Sequence, residues 1–357
     1  MKTYIKFILK TFFKSFIFVF SIIFCLVFIL NILSELEFFK NIKVTTLFPL
    51  YISFLNSPSL IFEMFPFIFL ISTQVFFINL FTDNQIQVFK YSGLQNSTII
   101  KIISYFSLFI GIIIISIFYN FSSNLKNVYL ELKNKYSSDD KYLAVITKNG
   151  LWIKDRIDGK INIINASKIN NEFLIDTFIT EFNDDYEVLK NITSPKIDIS
   201  KKKWKAFNVK VFVENSYISE KELIINTNFD YQKIQSLFSN LSSLSALELF
   251  DLKKNYESLN YSTTELDLQI LKLFSYPFYL TLMTILSSII MFNTKKFKSS
   301  TFKISTGLFA SVVIYYINNF FNVMGKTEKL TILPSILIPM ILLVIINTVL
   351  LYRVNEK

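Results

Sequence analysis

The chain is apolar at both ends and polar in its middle. Three hydrophobic stretches fill the first third and three more fill the last quarter. Residues 121–270, rich in charge and patterned like strands, separate them. A stretch of about 20 apolar residues crosses a bilayer as a helix, because hydrocarbon offers no partner to a backbone amide. A domain threaded between two such sets must sit on one face of the membrane, with both roots close to the helices. Composition agrees: 52% of the 357 residues are hydrophobic, above the usual share for a soluble domain.

The expected spans are 15–34, 59–81, 102–120, 273–293, 304–324 and 331–351. Lys2, Lys6, Lys10 and Lys14 precede the first span as in a signal peptide. The apolar run is nevertheless long enough to cross, and no small-residue cleavage site follows, so it reads as an uncleaved first helix. Charge sets the orientation. Segments sharing a side with the N-terminus carry twelve basic residues against Asp83 and Glu356, whereas 121–270 carries twenty basic and twenty-one acidic residues. Excess Lys and Arg mark the cytoplasmic side, so both termini are expected in the cytoplasm and the insert outside it. The net charge of +10 flanks the spans and forms no patch of its own, so nucleic-acid binding is not expected.

Histidine is absent, and the one cysteine, Cys25, lies inside the first span. His-based triads, His-ligated zinc or haem, intrachain disulfides and cysteine metal clusters are therefore excluded. Gly325-Lys326-Thr327 mimics the end of a phosphate-binding loop, but Phe320 stands where the first glycine belongs. It reads as a plain loop. No catalytic residue, metal or bound cofactor is expected, and the chain is not expected to hydrolyse ATP itself.

The insert opens with a polar helical stretch, 121–137. Short alternating runs follow at 142–147, 151–155, 160–164, 173–182, 186–192, 196–199, 204–213 and 217–225, separated by turn signals such as Asn149-Gly150, Asp158-Gly159 and Asp184-Asp185. Such spacing predicts an all-β sandwich, jellyroll or open barrel. Its expected core is Leu151, Ile153, Ile161, Ile163, Phe173, Ile175, Phe178, Trp204, Phe207, Val209, Val211, Phe212 and Ile224. Ser245 and Glu248 match a capping box that starts a short helix, and Thr264 starts another that runs into the fourth span. The fold class is thus a polytopic helical membrane protein with six spans and an all-β, jellyroll-like domain between the third and fourth. The expected parts are 1–120 with a segment 81–98 between spans two and three, 121–270, and 271–357.

Several segments resemble one family, the LptF/LptG permeases of lipopolysaccharide export. Asn149-Gly150-Leu151-Trp152-Ile153-Lys154-Asp155 is similar to a strand of its LptG branch. Residues 84–94, Asn-Gln-Ile-Gln-Val-Phe-Lys-Tyr-Ser-Gly-Leu, resemble its cytoplasmic coupling segment, with Gln85 where a glutamate is usual and Asp83 as the nearest acid. Leu244–Leu249 and Lys272–Pro277 resemble its stretches before and at the fourth span. The resemblance implies a permease subunit of an ABC transporter, paired with a related permease in a heterodimer and driven by a cytoplasmic ATPase. Lipopolysaccharide would be extracted from the bacterial inner membrane and passed through periplasmic β-jellyrolls toward bridge proteins. The layout also allows a second reading, a membrane-anchored sensor or ligand-binding protein with an extracytoplasmic β-domain.

The transporter reading assigns residues to roles. Asp83, Gln85, Ile86, Phe89, Lys90 and Gly93 are expected to couple to the ATPase, with Ile86, Phe89 and Lys90 on one helix face. Lys40, Lys43 and Lys272 are expected to meet lipid phosphates as point charges. Phe20, Ile23, Val27, Phe67, Leu70, Ile314, Ile317 and Phe321 are expected to wall an acyl-chain cavity, and Ile153 and Val209 to line the β-domain's interior.

Overall fold

The computed structural model describes residues 2–134, 136, 151–157, 160–170, 172–183, 186–213, 216–231, 234, 240–258, 262–293 and 299–355. The run expected at 142–147, the three turn pairs, Lys295, Lys296, Lys298, Glu356 and Lys357 lie outside these residues. The chain divides into two units. One comprises 1–132, 241–249 and 264–357, and the other 133–240 and 250–263.

The first unit is helical. α1 (Thr3–Phe38), α2 (Phe48–Thr82), the short α3 (Gln85–Tyr91), α4 (Asn96–Ile113) and α5 (Asn120–Asn134) come first. A π-helical turn, Ile114–Tyr119, joins α4 to α5. After the insert come α6 (Ala246–Ser258), α7 (Thr264–Asn293), α8 (Ser300–Lys326) and α9 (Ile332–Asn355). Among the described residues, six helices, counting α4 and α5 together, are long and apolar enough to cross a membrane, and each contains one of the expected spans, save that Thr331 precedes α9. α2 is the central helix: 61% of its apolar window is buried, against 11% for α8. It packs against α1, α7 and α8. The capping box forms as expected, with Ser245 N and Oγ donating to Glu248 Oε2 at 2.7 and 2.8 Å.

The second unit holds one antiparallel sheet of six strands in chain order: β1 (Leu151–Ile157), β2 (Lys160–Asn170), β3 (Phe173–Phe182), β4 (Val188–Asp198), β5 (Lys203–Val213) and β6 (Ser216–Asn226). The two runs expected at 186–192 and 196–199 are one strand, β4. Pairing is interrupted along a line that crosses the sheet through Ser167, Asp176, Pro195 and Asn208. Asp176 and Asn208 there have positive φ, 48° and 51°. Pro195 has no N–H to give to a ladder. Ser194 Oγ donates to the carbonyls of Lys196 and Phe207 at 2.9 and 2.8 Å, and Ser167 Oγ to that of Ile175 at 3.0 Å.

Crossing that line shifts the inside–outside alternation by one residue, and this corrects the expected core. Phe178, Phe212 and Ile224 are 44%, 37% and 68% exposed, and Ile163, Phe173, Ile175 and Phe207 are only half-buried. Of the expected core, Leu151, Ile153, Ile161, Trp204 and Val209 are buried, and they are joined by Ile164, Ile179 and Ile192 on one side of the line and Leu174, Ile197 and Ala206 on the other.

A segment after β6 closes this interior. Phe229 is fully buried in it. Asp155, itself 1% exposed, holds the segment: Thr227 Oγ1 and Asn228 N donate to its Oδ2 at 2.7 and 3.0 Å, and Asn228 Nδ2 to its Oδ1 at 2.8 Å. Trp204 Nε1 donates to the Phe229 carbonyl at 2.9 Å. On β3, burial alone would raise the Glu181 carboxyl. Hydrogen bonds from Lys160 and Lys190, at 2.8 and 3.1 Å, and their charges hold it below its ordinary value instead.

Two predictions follow from these contacts. Asp155→Ala leaves buried donors unpaired and is expected to cost about 1–3 kcal/mol. It should show as a lower Trp204 fluorescence midpoint and faster proteolysis at 227–231. Because the Glu181 carboxyl is lowered by folding, its contribution is present above the ordinary carboxylate range and is lost as pH falls through the lowered value. Wild type and Glu181→Gln should therefore differ in unfolding midpoint at neutral pH and converge in acid.

Candidate functional site

α2 carries Pro58 and Pro66 inside the helix. A proline offers no N–H to the carbonyl four residues earlier, so Pro66 leaves the Phe62 carbonyl without its helical donor. The Tyr276 hydroxyl of α7 donates to that carbonyl, and the Phe62 and Tyr276 rings stack at 4.8 Å. Beside this repair lies a cavity of about 210 Å³ among α2, α7, α8 and α9. Glu63, Lys272, Ser275, Asn318, Asn319 and Asn322 supply most of its polar lining. Of the three lysines expected to meet phosphate, Lys272 lines this cavity. Lys40 is exposed in the turn after α1, Lys43 is exposed in the following loop, and neither lines it. The three asparagines were missed in the sequence, although three amides within five residues of an otherwise apolar span are a signal. Among the described residues, no group of three or more Asp, Glu or Cys is placed to hold a metal.

The residues expected to wall an acyl cavity separate into two groups. Phe20, Ile23 and Val27 face inward, in the cluster that packs α1 against α2. Leu70 is fully buried with Met283, Leu286 and Leu343, and Ile314 packs against the same cluster. Phe67 meets the Tyr315 ring at 5.9 Å, Phe321 is half-buried, and Ile317 is 36% exposed. The open apolar faces belong to neighbours of these residues: Ile22, Leu26 and Leu33 on α1, and Phe309, Tyr316 and Phe320 on α8.

The segment between α2 and α4 forms a helix as expected, Gln85–Tyr91, followed by Gly93 at φ +80°. Its inner and outer faces exchange places relative to the expectation. Ile86 is 3% exposed and Phe89 is half-buried, both packed on the α1–α2 cluster, with Phe89 meeting Phe7 at 6.1 Å. The outward residues are Gln87, Val88, Lys90 and Tyr91, with Val88 64% and Tyr91 89% exposed. The cause is the anchoring core beneath the helix, which takes the two largest apolar side chains that point toward it. Gln85 Nε2 donates to Asp83 Oδ2 at 3.2 Å, so the acid lies directly beside the position where a glutamate is usual. In the β-domain, Ile153 and Val209 both face the interior, 1% and 0% exposed, in the cluster closed by Phe229.

With the geometry in place, comparison adds identity. The family model described as lipopolysaccharide export system permease LptF/LptG matches residues 6–353. A search of curated proteins finds no match.

The contact between α2 and α8 makes a prediction that is independent of function. Gln74 is fully buried, its Nε2 donates to the Lys303 carbonyl at 2.7 Å, and a Cβ at Gly307 would overlap its amide. Gly307→Ala should lower the thermal midpoint in detergent, as overpacking costs about 1–3 kcal/mol. Adding Gln74→Ala should restore much of that loss, because the second change removes the obstruction. Equal loss in the double variant would refute the contact.

Proposed function

The chain belongs to the LptF/LptG family of lipopolysaccharide export permeases, and from that premise we propose how its parts serve export. It is a multi-pass membrane protein and a transport subunit, not an enzyme. In this reading it sits in the bacterial inner membrane beside a related permease, in the LptG role suggested by the Leu151–Asp155 strand. A separate cytoplasmic ABC ATPase supplies the energy, and this chain binds no cofactor of its own. Charge asymmetry supports cytoplasmic termini and a periplasmic β-domain.

The coupling step is assigned to α3. The ATPase would press on the outward face of Val88, Tyr91, Gln87 and Lys90. Ile86 and Phe89, anchored in the α1–α2 cluster, would carry that displacement into the spans. Gln74, joined to the first turn of α8, would pass it from α2 to the least buried helix. The open faces of α1 and α8 would meet the partner permease around the acyl chains. Ile317 and Phe321 lie at the edge of that surface, while Phe20, Ile23, Val27 and Leu70 support it from behind. Lys40 and Lys43 would attract lipid phosphates at the outer interface. The β-domain would hand lipid to jellyroll bridge proteins, and passage through its own interior requires Phe229 to leave Ile153 and Val209.

One observation carries the reading: the family match runs over 6–353, through all six spans and the β-sheet inserted between the third and fourth. The test is to purify the tagged chain from its native membrane. A second, related permease and an ABC ATPase should accompany it. Val88→Asp with Tyr91→Ala should weaken retention of the ATPase while the paired permease stays bound. Recovery of the chain alone would contradict the proposal.

A further inference from the structure

We propose that the cavity among α2, α7, α8 and α9 binds a phosphoethanolamine headgroup. Two charges of opposite sign, Glu63 and Lys272, line the same small space. They act on each other electrostatically, yet no direct ion pair joins them among the described residues. Glu63 also acts on Lys126, which does not line the cavity. Glu63 is exposed and Lys272 half-buried, so both charges are open to a ligand from outside, and charged groups at a span usually find a partner, whether a protein group or a ligand.

The chemistry selects the ligand. An apolar occupant would give neither charge a direct partner. A purely anionic group would bring its phosphate against the Glu63 carboxylate, and a purely cationic one would face Lys272. A zwitterion with phosphate and ammonium a few bonds apart satisfies both. The phosphate is held by Lys272, with the amides of Asn318 and Asn322, one turn apart on α8, as further donors. The ammonium reaches Glu63 and the Tyr276 and Tyr315 rings, where a cation is attracted to the aromatic face. A primary ammonium also has hydrogens to donate to the carboxylate, which choline lacks.

Size and surroundings agree. The cavity, about 210 Å³, is smaller than the roughly 300–1,000 Å³ of pockets that enclose whole drug-sized ligands. It holds a headgroup, and the chains must lie outside. A separate open groove on the same α7 and α9, lined by Ile270, Leu271, Phe274, Ile332 and Leu333 with Asp267 among them, offers a mostly apolar surface for them. The headgroup has two sources, a membrane phospholipid or phosphoethanolamine carried on exported lipid A. Only the second rests on the transport reading above.

The full-length chain would be purified into phosphatidylglycerol nanodiscs doped with phosphatidylethanolamine, phosphatidylcholine, lipid A or phosphoethanolamine-modified lipid A, and retained lipid measured by native mass spectrometry. The expected result is retention of a phosphoethanolamine lipid about tenfold above its counterpart lacking that group, a difference of about 1.4 kcal/mol. Preference for phosphatidylethanolamine over phosphatidylcholine assigns the phospholipid. Preference for modified over plain lipid A, without it, assigns the exported lipid. Glu63→Gln and Lys272→Gln should each abolish the preference, and Glu63→Asp and Lys272→Arg, which keep the charges, should retain part of it at an unchanged thermal midpoint. Equal retention of all lipids overturns the proposal, as does plain lipid A binding best and gaining from Glu63→Gln. ATP-driven lipopolysaccharide release is scored separately. Release without the headgroup preference defeats this inference alone, and the preference without release defeats the transport reading alone.

Discussion

Every backbone polar group within a membrane span must find its partner inside the protein, and α2, with two prolines, is where this demand is greatest. It is the most buried span and is interrupted by Pro58 and Pro66. Its carbonyls accept from three other side-chain sources: Asn31 of α1 to Ser53 at 2.9 Å, Tyr276 of α7 to Phe62, and Ser287 of α7 to Leu70 at 2.7 Å. Its Gln74 donates to the backbone of α8. Each bond of this kind contributes about 0.6–2 kcal/mol in a membrane. Their value here is positional, because they set α1, α7 and α8 around one irregular helix.

The polar cavity follows from that arrangement. Pro66 frees a carbonyl, Tyr276 turns inward to meet it, and the neighbouring turns of α2 and α7 bring Glu63 and Lys272 to the same space. α8 lies at the other extreme. It is held at its first turn by Gln74 and by Lys303, whose Nζ lies 5.0 Å from the Phe81 ring centroid, while most of its apolar surface stays uncovered. At its last turn Gly325 packs on Ser335 and Leu268. A helix held at its two ends, with most of its apolar surface uncovered between, suits a protein whose partner or cargo completes the packing.

The spans, the insert and the helical roots were legible in the sequence because their signals are long and periodic. Each expected span lies within a helix, save for Thr331, and Ser245-x-x-Glu248 started α6 as read. The sheet's register was not legible. Alternation identifies a strand but cannot reveal that Asp176 and Asn208 take positive φ and shift the phase midway, so that Leu174 and Thr177 both face inward on β3. The face of α3 failed for a related reason. Ile86 and Phe89 do share a side of the helix while Lys90 points outward, but spacing does not say which side meets the core. Tyr276 was equally hidden, since its partner is a backbone carbonyl exposed by a proline on another helix.

Phe89 packs on the α1–α2 cluster and Gln74 bonds α2 to α8, and in the proposed coupling motion at α3 reaches the spans along these contacts. The most direct measurement is lipopolysaccharide release from proteoliposomes that hold this chain with its partner permease and ATPase. Release is expected to require ATP and this chain, and to fail in Gln74→Leu although ATP is still hydrolysed. Release at the wild-type rate without this chain, or undiminished in Gln74→Leu, would contradict it.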